Sequence, residues 1–153
     1  MPRMRIAEVN IAEHVDRCLA LLEQNWAETG FDFPLDPDRR QYIAAQESGI
    51  LFAMAAFDGD EVVGYSTAFV SPHHFNPAVV MCHSDALFVA RSHRDSSAGA
   101  RLIAETERVA RERGAHRMLW HTRAGTALAD VLSSRPAYQP ADVVVVKDLT
   151  HGP

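Results

Sequence analysis

The sequence predicts an α/β fold, a mixed sheet flanked by helices on both faces. Three observations predict it. Strand-like runs follow one another at 51–57, 61–70 and 78–90. A stretch of helical period then separates the last of these from another apolar run at 116–122, the length expected of a βαβ crossover between parallel neighbours. Capped helical stretches lie before and after this group of strands. The predicted order is β-α-α-β-β-β-α-β-α-β, in a single domain over residues 1–153.

Arg5 to Val9 is the first strand. Asn10 offers a helix cap, with Glu13 placed as in a capping box. Val15, Cys18, Leu19, Leu22 and Trp26 follow at helical spacing, which predicts a helix over 11–28 ending near Gly30. An aromatic turn, Phe31-Asp32-Phe33-Pro34, comes next. Asp36 as cap and Pro37 at the first helical position predict a second helix, carrying Tyr42, Ile43 and Gln46 and stopping at Gly49.

Leu51 to Phe57 reads as a strand that turns at Asp58-Gly59-Asp60 and returns over Glu61 to Val70. Gly64 inside the return marks a bulge or a close approach. Ser71 to Pro77 reads as a loop and Ala78 to Ala90 as a long strand. A helix over about 97–113 follows, with Leu102, Ile103, Thr106, Val109 and Ala110 on one face and Gly114 closing it. His116 to Thr122 is the parallel strand. A short helix at 126–132 is broken by Arg135-Pro136. Val143 to Leu149 is β-branched enough for a last strand, and the final residues 151–153 are expected to fray.

The composition narrows the function. Hydrophobic residues make up 47% and charged residues 23% of the 153, as in a soluble globular protein. The net charge of -5 argues against a nucleic-acid binder driven by phosphate contacts, although Arg91, Arg94, Arg101, Arg108, Arg111, Arg113 and Arg117 crowd one region. Cys18 and Cys82 lie among apolar residues and read as buried free thiols. No apolar run reaches membrane-spanning length, and the first ten residues lack a signal-peptide core, so a cytoplasmic protein with no membrane partner is expected. His73, His74 and His83 have no ligand spacing, so no metal site is expected.

The chemistry centres on residues 85–114, a strand, a loop of small and polar residues, and an amphipathic helix. Such a loop leaves backbone N–H groups without partners at the positive end of the helix dipole, a place suited to an anion. The same stretch is also compatible with an ordinary strand–loop–helix connection capped by serine. There is no nucleophile elbow, P-loop lysine or G-x-G-x-x-G after a strand.

This order, with Leu87-Phe88-Val89 ending a strand and Arg94, Ser97 and Gly99 at the spacing of an Arg/Gln-x-x-Gly-x-Gly/Ala signature, resembles the GNAT superfamily of acyl-CoA N-acyltransferases over nearly the whole chain. Arg94 and Gly99 match, and Ser97 stands where the family usually has Gly. The resemblance implies acetyl-CoA as co-substrate. Its pyrophosphate would rest on the amides of Arg94, Asp95, Ser96, Ser97, Ala98, Gly99 and Ala100. Its pantetheine arm would pair, strand-like, with the backbone at Leu87 and Val89, with Phe88 between them also counted among the cofactor-binding residues. Downstream, the family's Asn and Tyr positions fall on Thr126 and Ser133, so the cofactor-touching amide and the usual proton donor to the thiolate are both replaced.

The implied reaction is direct acetyl transfer to the amine of a small-molecule or protein acceptor. A lysine-like amine must first be deprotonated, at about 4–5 kcal/mol at neutral pH without a base. The position of a family carboxylate falls on His83, and Asp85 shares its face by strand alternation. A histidine titrates in the useful range. His121, ending the next strand, is placed to relay a proton or touch substrate, and Ser133 to bond the thiolate. Each is equally a polar strand or helix residue with a structural hydrogen bond. A GNAT-like module that binds acyl-CoA without turnover is the alternative. The oligomeric state stays open, with a homodimer through sheet edges one outcome.

Overall fold

Arg5–Val9 (β1), Leu51–Asp58 (β2), Glu61–His73 (β3), Asn76–Val89 (β4) and Arg117–Leu119 (β5) pair in sequence order into one sheet. The first four are antiparallel neighbours and β5 joins β4 in parallel. The structure is a computed structural model describing residues 4–150 and 152. The helices are Ile11–Arg17 (α1), Leu19–Thr29 (α2), Arg39–Glu47 (α3), Ala98–Glu112 (α4) and Ala127–Ser133 (α5). The chain divides into two units, Met1–His121 and Thr122–Pro153.

In the first unit the sheet is covered on both faces, which is why β2 is buried along nearly its whole length. Phe52, Met54 and Ala56 point to one face, where Leu102, Val109 and Ala110 of α4 meet them. Leu51 and Ala53 point to the other, against Ile11, Tyr42 and Ile43. On that second face Leu21 of α2 packs on Tyr65, Phe88 and Ala90. The mixed sheet and its element order are those expected as far as α5.

Five local expectations change. The strand expected over His116 to Thr122 pairs only over Arg117–Leu119. The helix expected over 11–28 is two, because Cys18 leaves helical geometry (φ -110°, ψ 10°). The periodicity runs across this break because one apolar face continues through it. There Cys18 Sγ lies 3.3 Å from His14 Nδ1. Burial lowers the His14 pKa to about 4 and raises that of Cys18 to about 11, so both are neutral at pH 7. The cap of α3 is Asp38 rather than Asp36, since the Asp38 carboxylate takes the Arg40 N–H at 2.9 Å. The expected loop at 71–77 is mostly strand, with β3 and β4 running on to a tight turn.

In the second unit, Thr126 caps α5, and Leu132 is buried. The expected last strand over Val143 to Leu149 does not form: Val143 is 90% and Val146 92% exposed, and the sheet ends at β5. A run of valines supplies the propensity to pair but not the neighbour that pairing requires. The fraying expected at His151 and Pro153 lies outside the described residues.

Gly64 is a close-approach point. A Cβ there would lie 2.9 Å from the Phe88 carbonyl oxygen and 3.1 Å from Leu102 Cδ1, beside a β2–β3 register shift at Ala56/Phe57. Gly64→Ala is therefore expected to destabilise the protein by roughly 1–3 kcal/mol, because backbone cannot yield as a side-chain tip can. The urea midpoint checks it, and a wild-type midpoint would refute the close approach.

Candidate active site

The site begins where strand pairing stops. β5 pairs with β4 only over Met81, Cys82 and His83, and the register ends at His83–Leu119. Beyond it, β4 runs on to Val89 paired only with β3. The Ala90 N–H donates to Val63 O, so the Val89 carbonyl across the same peptide faces away from β3. By strand alternation the N–H groups of Leu87 and Val89 face the same open side. Phe88 does not: its backbone faces β3, and its ring packs against Tyr65 (centroids 6.0 Å apart) under α2. Of the three strand residues expected to bind the cofactor, only Leu87 and Val89 present backbone to the open side.

After β4 the chain makes a 3-10 turn over Arg91–His93 and enters α4. Of the amides expected to form an anion cradle, three are used internally. Arg94 N donates to Arg91 O, Ser96 N to His93 O, and Ala98 N to Ser96 Oγ. The N–H groups of Asp95, Ser97, Gly99 and Ala100 have no partner among the described residues. They open α4, whose dipole adds to their attraction for an anion. Ser97 sits at φ -77°, which serine adopts without strain, so the missing glycine costs no backbone distortion. A Cβ on Gly99 would meet only Val89 Cγ2, at 3.8 Å. Protein packing therefore does not require glycine there.

The Arg94 side chain is committed to the loop. Its Nε donates to Val89 O (3.0 Å), its guanidinium lies 5.3 Å from the Phe88 ring centroid, and its terminal nitrogen forms an ion pair with Glu28 (2.7 Å). The same Glu28 accepts from Arg91 Nε at 2.7 Å. The two guanidinium groups hold the Glu28 carboxyl below the usual carboxylate range.

On the α1–α3 face, His83 stands opposite Phe69 and stacks on His121, with ring centroids 5.6 Å apart and planes within 10°. His121 is held by Ser84: its N–H donates to Ser84 Oγ (2.8 Å) and its Nδ1 lies 3.1 Å from Ser84 O. A carbonyl only accepts, so Nδ1 is the donor in this contact. Burial first, then the charges of His121 and His73, lowers the His83 pKa. His83 is therefore neutral at pH 7.

Asp85 is the extra residue of a β-bulge, since Ala68 pairs with Ser84 and Thr67 with Ala86. Its Oδ2 accepts from Thr67 Oγ1 at 2.9 Å. Its charge also helps burial raise the phenol pKa values of Tyr42 and Tyr65. Thr67, Tyr42 and Glu28 are partners the sequence reading did not find. Trp26, Phe31 and Phe33 form a cluster with centroids 5.1–5.3 Å apart, Phe31 and Phe33 about half exposed.

In the second unit, Thr126 spends its hydroxyl on helix capping: it donates to Arg123 O (2.7 Å) and accepts from Ala129 N (3.3 Å). Ser133 is exposed in the last turn of α5. Among the described residues no group of three or more His, Cys, Asp or Glu side chains could hold a metal, and no helix is long and apolar enough to cross a membrane.

A family model described as the Acetyltransferase (GNAT) family matches residues 17–130. The chain belongs to the GNAT acetyltransferase family. No curated protein matches the sequence. Among solved structures, an aminoglycoside acetyltransferase from an uncultured soil metagenomic sample, in complex with sisomicin, superposes with a TM-score of 0.76 at 16% identity, covering 96% of this chain and 97% of that one. The ribosomal-protein-alanine N-acetyltransferase of Brucella melitensis biovar Abortus 2308 gives 0.69 at 16% identity, over 98% and 100%. An aminoglycoside N-acetyltransferase in complex with CoA gives 0.70 at 16%, over 94% and 98%. At these identities the likeness is one of fold.

GNAT acetyltransferases use acetyl-CoA, and the residues of this GNAT chain fit it. The four amides without partners would suit an anion, and the open edge of β4 would suit strand-like pairing with an amide-bearing arm. Gly99 separates folding from binding. Gly99→Val is expected to keep a near-wild-type melting temperature, while acetyl-CoA affinity falls at least about tenfold, the cost of roughly 1.4 kcal/mol of lost contact. Calorimetric titration beside a thermal melt checks both halves, and unchanged affinity would remove Gly99 from the cradle.

Proposed function

We propose that this GNAT acetyltransferase moves the acetyl group directly to a neutral amine lying against the α1–α3 face, and that His83, stacked on His121, accepts the amine's proton. The observation that carries this reading is the place of the pair. It stands where β4–β5 pairing stops, beside the open edge of Leu87 and Val89. Acetyl-CoA supplies an activated thioester carbonyl. The Leu87 and Val89 N–H groups are aimed at the side where negative charge develops on that oxygen. A neutral imidazole accepts a proton without first losing one, and the lowered His83 pKa keeps it in that form. Asp85, fixed by Thr67, adds a negative charge on the same face that favours an approaching ammonium group. Neither Cys18 nor Cys82 enters the reaction, as both thiols are buried with raised pKa values.

Ser133 is a poor acid, so water is the proton donor to the departing thiolate in this reading. The acceptor is a small-molecule or protein amine. Matched structures of similar fold are named for both kinds, aminoglycosides and the alanine of a ribosomal protein. The capping role of Thr126 favours one further reading, an acyl-CoA-binding module with weak turnover.

A thiol-release assay over a panel of aminoglycosides and alanine-terminated peptides, run beside acetyl-CoA calorimetry, decides between them. Release with any acceptor supports the transferase, and binding without release supports the module. His83→Ala is expected to lower turnover at least about tenfold with little change in acetyl-CoA affinity. The wild-type rate should fall as pH drops below the ordinary imidazole value near 6.5, because protonation removes the base. That acidic limb should vanish in the variant, and an unaltered pH profile would remove His83 from the reaction.

A further inference from the structure

Glu28 lies in the last turn of α2, yet it bonds two arginines 63 and 66 residues further along the chain. Arg91 and Arg94 bracket the 3-10 turn that leads into the cradle of free amides. One carboxylate serves both: Oε1 takes Arg91 Nε (2.7 Å) and Arg94 Nη2 (2.9 Å), and Oε2 takes Arg94 Nη2 (2.7 Å). The arginines are not held alike. Arg94 is also tied to Val89 O and lies over Phe88. The Arg91 side chain is 73% exposed, and its only hydrogen bond among the described residues is the one from Nε to Glu28. Arg94 is built into the loop, while Arg91 is free to exchange partners.

We propose that Glu28 is a built-in competitor for the cofactor's phosphates. Its carboxylate holds Arg91 in the free protein and gives it up when a phosphate occupies the adjoining amides. The inference rests on the reading of residues 95–100 as the acetyl-CoA cradle. A phosphate and a carboxylate recognise a guanidinium through the same paired N–H geometry, so they compete for it. An exposed ion pair is weak enough to exchange. Glu28 keeps Arg94 after the exchange, so the loop stays anchored to α2. In this arrangement Glu28 is a positioning residue: it acts on the cofactor through Arg91.

Glu28→Gln separates charge from shape, since the amide oxygen still accepts from both arginines. It is expected to tighten acetyl-CoA binding by about threefold at low ionic strength, and the gain should appear in the KM for acetyl-CoA. Arg91→Ala should weaken binding. In that background Glu28→Gln should have no further effect, because the charge it relieves acts on Arg91. Calorimetry on wild type, both single variants and the double variant reads the cycle, with melting temperatures taken on each. Equal or weaker binding by Glu28→Gln would overturn the proposal. So would a gain that survives in the Arg91→Ala background, which would show plain repulsion instead. Absence of acetyl-CoA binding by the wild type would instead remove the cradle reading itself.

Discussion

The site depends on the early end of one strand pairing. β5 contributes three residues, and its last partner on β4 is His83. A longer β5 would pair with the backbone of Leu87 and the Val89 N–H, whose carbonyl Arg94 already takes, and would close that edge. The bulge at Asp85 adds to this, since a bulged strand bends and twists locally. Both irregularities fall within a few residues of the stacked histidines, and Ser84, just before the bulge, carries His121 through its hydroxyl and its carbonyl. An interruption of the sheet thus leaves an open strand edge and places the stacked histidines beside it.

Much of this was legible in the sequence, and the reasons are local. β1 was readable as a short run of its own residues, and α4 from its apolar face, because each signal lies within a single segment. The cradle was readable as a loop of small residues entering a helix. The sequence did not reveal which amides stay free, because Ser96 spends its hydroxyl on the Ala98 N–H and its own N–H on His93 O.

Partners distant in the chain were illegible. Glu28 looked like an ordinary residue near a helix end, and nothing in its spacing connects it to Arg91 and Arg94. Thr67 and Tyr42 surround Asp85 only because β3 and α3 fold onto β4. The absent last strand is the opposite error. Val143 to Val146 carry strong β propensity, but propensity cannot reveal whether an edge stands ready to receive them.

Charge presents the remaining tension. A chain of net charge -5 has to hold a polyanionic cofactor, and its composition argues against a broadly basic face. The fold answers locally, with dipoles before charges. Four unpaired amides at the start of α4 supply attraction that adds nothing to the net charge and needs no rearrangement. Glu28 offsets one of the two positive charges of the arginines beside them in the free protein, so the cationic character of the loop is reduced toward any passing anion. An anion small enough to touch only the amides gains little from Arg91. One that spans the amides and Arg91 together gains both, provided it displaces Glu28. Where the amides and Arg91 act together as proposed, a long, multiply charged cofactor would be favoured over inorganic anions, because only a ligand with several phosphates would satisfy both halves at once.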